Sequence, residues 1–163
     1  MVDAYEQELV RIFKIVVNEV AEEMYEELMT LLDQVVYTHA PSVYRSGDVG
    51  EAVGDGDGRL AGSFFIKEVE QVGRMIQTEI YHDPRMLDYS PGDFVHGSKY
   101  WDPNDARPYI AQMIIEGSSG PIFGDGWWTV ARDFWTPFIK MKTDGTMDKM
   151  FKKHFKKYGI NVG

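Results

Sequence analysis

The chain contains no cysteine, so disulfides and thiolate metal centres are excluded outright, and the fold rests on packing alone. Among its first 40 residues there is neither glycine nor proline, the two residues that most often break a helix. No apolar run approaches the roughly 20 residues needed to cross a bilayer. The start of the chain also lacks a basic segment followed by an apolar one, because Asp3, Glu6 and Glu8 stand there. We therefore expect no secretion signal and no membrane association. Basic charge is scarce overall: 17 Lys and Arg against 26 Asp and Glu give a net charge of −9.

The scarcity is local. Residues 1–36 hold nine acidic and two basic side chains, and residues 137–163 hold two acidic and seven basic ones. A chain acidic at one end and basic at the other is suited to association, the basic end of one copy meeting an acidic surface of another. Apolar residues make up 44% and aromatics 13% of its 163 residues, enough for a folded core in a single domain.

Within residues 1–36, apolar side chains recur at Val2, Tyr5, Leu9, Ile12, Val16, Val20, Met24, Leu28, Leu31 and Val35. Steps of three or four predict one long amphipathic helix. Unbroken, it would extend about 54 Å, longer than a small domain is wide, so it should overhang its own fold or kink. The segment from Pro41 to Gly47 turns the chain, and glycines 50, 54, 56 and 58 mark a loop. A β-hairpin is expected over 60–82, with strands Leu60–Glu70 and Arg74–His82 and a turn at Glu70–Gly73. Residues 83–108 carry four prolines together with Tyr89, Phe94, Tyr100 and Trp101, which reads as a long ordered interaction loop. Tyr109–Glu116 is too short and too apolar to distinguish strand from helix. A last helix over 137–158, with an interruption near Asp144–Gly145, presents an apolar side and a lysine side. Gly159 is placed to cap it.

Catalytic signatures are missing. The acidic glycine loop has Asp55 and Asp57 but Arg59 where a calcium loop needs its third ligand. His39, His82, His96 and His154 show no metal-binding spacing, and no phosphate loop or nucleophile elbow occurs. We expect no enzyme, no cofactor and no metal. The lysines within Lys142–Lys157 could meet phosphates without sequence preference, although no recognition motif accompanies them.

The order of short motifs resembles the tail-completion, or neck, proteins that join head and tail in tailed bacteriophages. There a long helix ends at a turn of the type Pro-x-x-Tyr-x-Arg-Thr-Gly. Here Pro41-Ser-Val-Tyr44-Arg45-Ser46-Gly47 is one residue shorter, with Ser for Thr. After the hairpin, Tyr109 to Glu116-Gly117 stands for a Tyr…Glu-x-Gly segment. Ala131-Arg132-Asp133-Phe134 fits an Ala-Arg-Pro-Phe turn before the last helix, with Asp for Pro. Residues 83–108 look like an insertion into that pattern.

The resemblance implies an α+β subunit, its N- and C-terminal helices packed on a small antiparallel sheet with a long inserted loop. It implies a virion protein, made in the host cytoplasm and assembled as a homo-oligomeric ring in the neck. Its partners would be a portal or head-closure protein and tail-tube or terminator proteins, with DNA passing through the lumen without specific contact. Candidate interface residues are Tyr89, Phe94, Tyr100 and Trp101 in the loop and Lys152, Lys153, Lys156 and Lys157 on the last helix. Pro41, Tyr44, Arg45, Glu116, Gly117 and Arg132 are expected to hold turns, the two arginines through carboxylates such as Glu116. Trp127, Trp128, Phe134 and Trp135 are expected in the core. Two other classes stay open: a monomeric ligand- or carbohydrate-binding module using the aromatic loop, and a metal-dependent enzyme built on Asp55, Asp57 and His82.

Overall fold

The computed structural model describes residues 4–38, 60–87, 107–117 and 130–162. Their architecture is α+β, with a long N-terminal helix, a C-terminal helix and small antiparallel pairings between them. The chain divides into two compact units: Met1–Leu28 with Ile66–Tyr81 and Pro137–Gly163, and Met29–Phe65 with His82–Thr136.

Helix α1 spans Ala4–Leu31 and continues without a break into a π-helical segment, Leu32–Tyr37. Its buried stripe is Val16, Val20, Met24, Leu28, Leu32 and Val36, a strict step of four. In an α-helix that step drifts about 40° at each repeat. A π-turn holds more residues per turn, so the final steps stay closer to one face. The register therefore passes to Leu32 and Val36 rather than to Leu31 and Val35, which the sequence favours and which are only half-buried. Thr38 closes the segment, its N–H and hydroxyl both donating to the Asp33 carbonyl at 2.9 and 2.8 Å. At the other end, no residue from 4 to 15 is buried and Tyr5 is 69% exposed.

The hairpin is present, but its details differ from expectation. Strands β1 (Phe64–Ile66) and β4 (Ile80–His82) pair, as do β2 (Glu70–Val72) and β3 (Met75–Gln77). Glu70 faces Gln77 and Val72 faces Met75, so the turn is the two-residue loop Gly73–Arg74 and not Glu70–Gly73. Gly73 has φ 63° while Arg74 is outside the left-handed region, as in a type II′ turn with glycine first. Lower down, the Lys67 N–H donates to the Glu79 carbonyl at 2.9 Å. Two residues, Glu68 and Val69, thus stand opposite Thr78 alone, which is a β-bulge. Every residue of β2 is exposed. A Cβ at Gly73 would meet no atom within 4 Å, so Gly73→Ala should cost only the backbone strain. We expect a loss of about 1 kcal/mol in urea unfolding, with Gly73→Asn clearly milder.

The ambiguous segment is helical: α2 spans Arg107–Glu116. The expected last helix is two helices, α3 (Trp135–Lys140) and α4 (Thr146–Lys157), separated at the anticipated place. Helix α3 begins two residues before Pro137 because the Asp133 carboxylate accepts from the N–H groups of Trp135 and Thr136 at 3.1 and 2.8 Å. That is an N-cap, and proline is tolerated in the first turn behind it. Helix α4 starts at Gly145 (φ 87°), with Asp144 accepting from Thr146 N–H at 2.9 Å. It ends in a Schellman motif: Ile160 N–H donates to Phe155 O and Gly159 N–H to Lys156 O, with Gly159 at φ 73°.

In the second unit, Phe64 and Phe134 pack edge to face at 6.1 Å, and Trp135 lies 6.3 Å from Phe64 in a stacked orientation. Phe134 is fully buried and Trp135 half-buried, in keeping with the core role expected of both. The Tyr37 hydroxyl accepts from Ala61 N–H at 2.9 Å, and Arg132 N–H donates to the Ile114 carbonyl at 2.8 Å.

Candidate functional site: charged faces of helices α1 and α4

Helices α1 and α4 carry the chain's strongest charge asymmetry, and the first unit brings them together. Glu19 and Glu23 lie four residues apart, on one face of α1. His154, on α4, is buried, with its side chain 7% exposed. Its Nδ1 is 2.6 Å from Glu19 Oε2 and its Nε2 is 2.7 Å from Glu23 Oε2. Each ring nitrogen thus faces a different carboxylate, with donor and acceptor roles that depend on the tautomer. Lys153 Nζ reaches both Glu23 oxygens at 2.9 Å. Lys157 Nζ is 3.4 Å from Glu19 Oε2, and the Tyr158 hydroxyl donates to Glu19 Oε1 at 3.2 Å. Lys157 Nζ also sits 2.9 Å from His154 Nδ1. Below the cluster, Phe13 meets Phe155 edge to face at 4.9 Å.

These partners govern the carboxylates. Burial works to raise the Glu19 pKa, but His154 and Lys157 outweigh it and the net shift is downward. The Lys153 hydrogen bond, aided by His154, likewise lowers Glu23. The Tyr158 phenol is raised by burial and by the nearby Glu19 charge. Two carboxylates, an imidazole ring and two ammonium groups thus fasten one helix to the other. The carboxylates approach opposite ring nitrogens, which is a clamp rather than a ligand cage. No group of three His, Cys, Asp or Glu suited to a metal ion occurs among the described residues.

The basic side of α4 is accordingly divided. Lys153 and Lys157, expected at an interface, bind carboxylates of their own chain. Lys152 and Lys156 are exposed, as are Glu22 and Glu26 on α1. In the second unit, Arg132 is buried and its Nη1 lies 3.5 Å from the Val130 carbonyl. Its backbone bond to Ile114 ties the turn to α2, while Glu116 accepts from Gln112 at 2.9 Å. Gly117, at φ 70°, ends α2 in the left-handed conformation. Asp83, hydrogen-bonded by the Arg85 side chain and backbone, is pushed down to about 2. Burial lowers the neighbouring His82, whose Nε2 is enclosed without a hydrogen-bond partner. Its ring lies 5.0 Å from Phe64.

Tyr89, Phe94, Tyr100, Trp101, Pro41, Tyr44 and Arg45 lie outside the described residues, as do Asp55, Asp57, Trp127 and Trp128. The clamp itself escapes a reading of motifs, since histidines are weighed by their spacing from other histidines. Its signal is a pair of complementary steps of four, Glu19/Glu23 and Lys153/Lys157, on two helices of opposite charge. Among the described residues, no helix is long and apolar enough to cross a membrane. No protein-family model, curated protein or solved structure matches the chain.

Proposed function

We propose that this chain is a structural assembly subunit, of the ring-forming kind that joins or completes the tail at the head of a tailed bacteriophage. The observation that carries the reading is the solvent-facing start of α1: no residue from 4 to 15 is buried, and Tyr5 is 69% exposed. That stretch extends about 18 Å, and an amphipathic helix left open over such a length is suited to a partner. The β2–β3 ribbon adds to it, with Val72 and Met75 at its tip 47% and 62% exposed. Isolated two-stranded ribbons are marginal in water and gain from docking. The motif order from Pro41 to Phe134 supplies the particular assembly: a homo-oligomeric ring contacting portal or head-closure proteins on one side and tail proteins on the other. DNA would pass through without specific contact, and no catalytic step is part of the role.

Light scattering of the purified protein at low and high salt tests this. The expected result is a discrete oligomer, formed alone or on addition of a portal or tail-tube protein, whose stability depends on salt. A monomer under all of these conditions would overturn the proposal.

A further inference from the structure

Helices α1 and α4 repeat outward the charge pattern they already use on each other. Inside the chain, the step Glu19/Glu23 meets Lys153, His154 and Lys157. One residue before Glu23 and Lys153, roughly 100° round each helix, stand Glu22 and Lys152. Each has a like-charged neighbour four residues on, Glu26 and Lys156, and all four are exposed. Both pairs therefore span about 6 Å along their helices. An acidic step and a basic step of equal length form a complementary pair of charged surfaces.

We infer that the Lys152/Lys156 face of α4 docks on the Glu22/Glu26 face of α1 in a second copy of this chain. The inference rests on the assembly reading above and gives it a specific contact. Where each copy offers its α4 to one neighbour and its α1 to another, the interface is heterologous and closes into a ring when the rotation permits. The choice of a second copy over nucleic acid follows from charge. A chain of net charge −9 repels a polyanion as a whole, whereas the acidic step on α1 has the spacing the lysines require. Exposed pairs of this kind contribute little one at a time. They fix register and partner choice, while apolar surface such as the open start of α1 supplies affinity.

The test is a charge swap in the full chain, read by light scattering, with circular dichroism to confirm folding. Lys152→Glu with Lys156→Glu makes both faces acidic, and Glu22→Lys with Glu26→Lys makes both basic. Each double variant alone should lose the oligomer. An equimolar mixture should recover it, because the acidic α4 of one meets the basic α1 of the other, and so should the variant carrying all four changes. Loss without recovery in the mixture or the fourfold variant overturns the pairing. Wild-type assembly unchanged by either swap overturns this interface while leaving the assembly reading in place. A wild-type protein that never assembles removes both. If assembly persists and Lys152→Glu/Lys156→Glu instead abolishes retention of duplex DNA in a gel shift, the basic face serves a polyanion and the inference fails.

Discussion

Phe134→Ala should destabilise the protein by about 3–5 kcal/mol, the largest loss expected from any single truncation considered. The ring is fully buried, touches Phe64 edge to face and lies 6.5 Å from Trp135. Its removal takes away aromatic packing and leaves a cavity that the surrounding turn is poorly placed to fill. The backbone there is fixed on both sides, by Arg132 N–H on Ile114 O and by the Asp133 cap of α3. Collapse into the space would break one of those bonds. Urea unfolding should show the loss as a lower midpoint, and the melting temperature should fall by roughly 10 °C. Phe134→Leu, which keeps most of the volume, should cost less than half as much. Equal stability of the alanine variant and the wild type would mean that the aromatic cluster is not the core of its unit.

His154→Ala should cost about 2–3 kcal/mol, because a buried ring and its contacts with two carboxylates vanish together. The carboxylates left behind are about a quarter exposed, so water recovers part of the loss. Lys153→Ala should cost under about 1 kcal/mol, since that ammonium is largely exposed. Acid provides an independent check. Glu19 and Glu23 both titrate in the folded protein below the ordinary value of 4.5. Their contribution is therefore complete above pH 4.5 and is lost as pH falls through the depressed folded values. The stability difference between wild type and Glu19→Gln/Glu23→Gln, large at neutral pH, should shrink as pH falls below 4.5 and through the depressed folded values. A difference independent of pH over that range would mean that the carboxylates do not carry the clamp.

Much of the α+β fold is legible in the sequence because its helices are periodic and its turns are punctuated. The run from Tyr5 to Leu28 leaves no alternative to a helix, and Gly145 and Gly159 mark where α4 begins and ends. The misreadings share a physical cause, a one-residue departure from regular geometry that composition does not announce. Nothing in the side chains of Leu31 and Leu32 says that a π-turn will bury the second, since either is apolar enough. Nothing in Glu68-Val69 says that two residues will stand against one. Asp133 is different: it looks like a defect in the Ala-Arg-Pro-Phe pattern, and its carboxylate turns out to be the cap that starts α3. The clamp was hidden for another reason, as Glu19 and His154 are 135 residues apart in the chain and only packing brings them together. The expected aromatic interface at Tyr89, Phe94, Tyr100 and Trp101 stands outside the described residues, so the proposed interaction surfaces are drawn from α1, α4 and the β2–β3 ribbon.

The bulge at Glu68–Val69 has a consequence at the far end of the hairpin. Lys67 opposes Glu79, and a regular ladder continued from there would set Gln71 against Met75 and leave Val72, Gly73 and Arg74 as a three-residue loop. The extra residue advances the phase by one, so Val72 meets Met75 instead and Gly73 becomes the first residue of a two-residue turn, the one place in it where positive φ is needed. Turn and bulge are thus halves of a single geometric choice. The same advance carries Glu70, Gln71 and Val72 to the opposite face from the one a regular ladder would give them, and it decides which side of the ribbon tip is apolar.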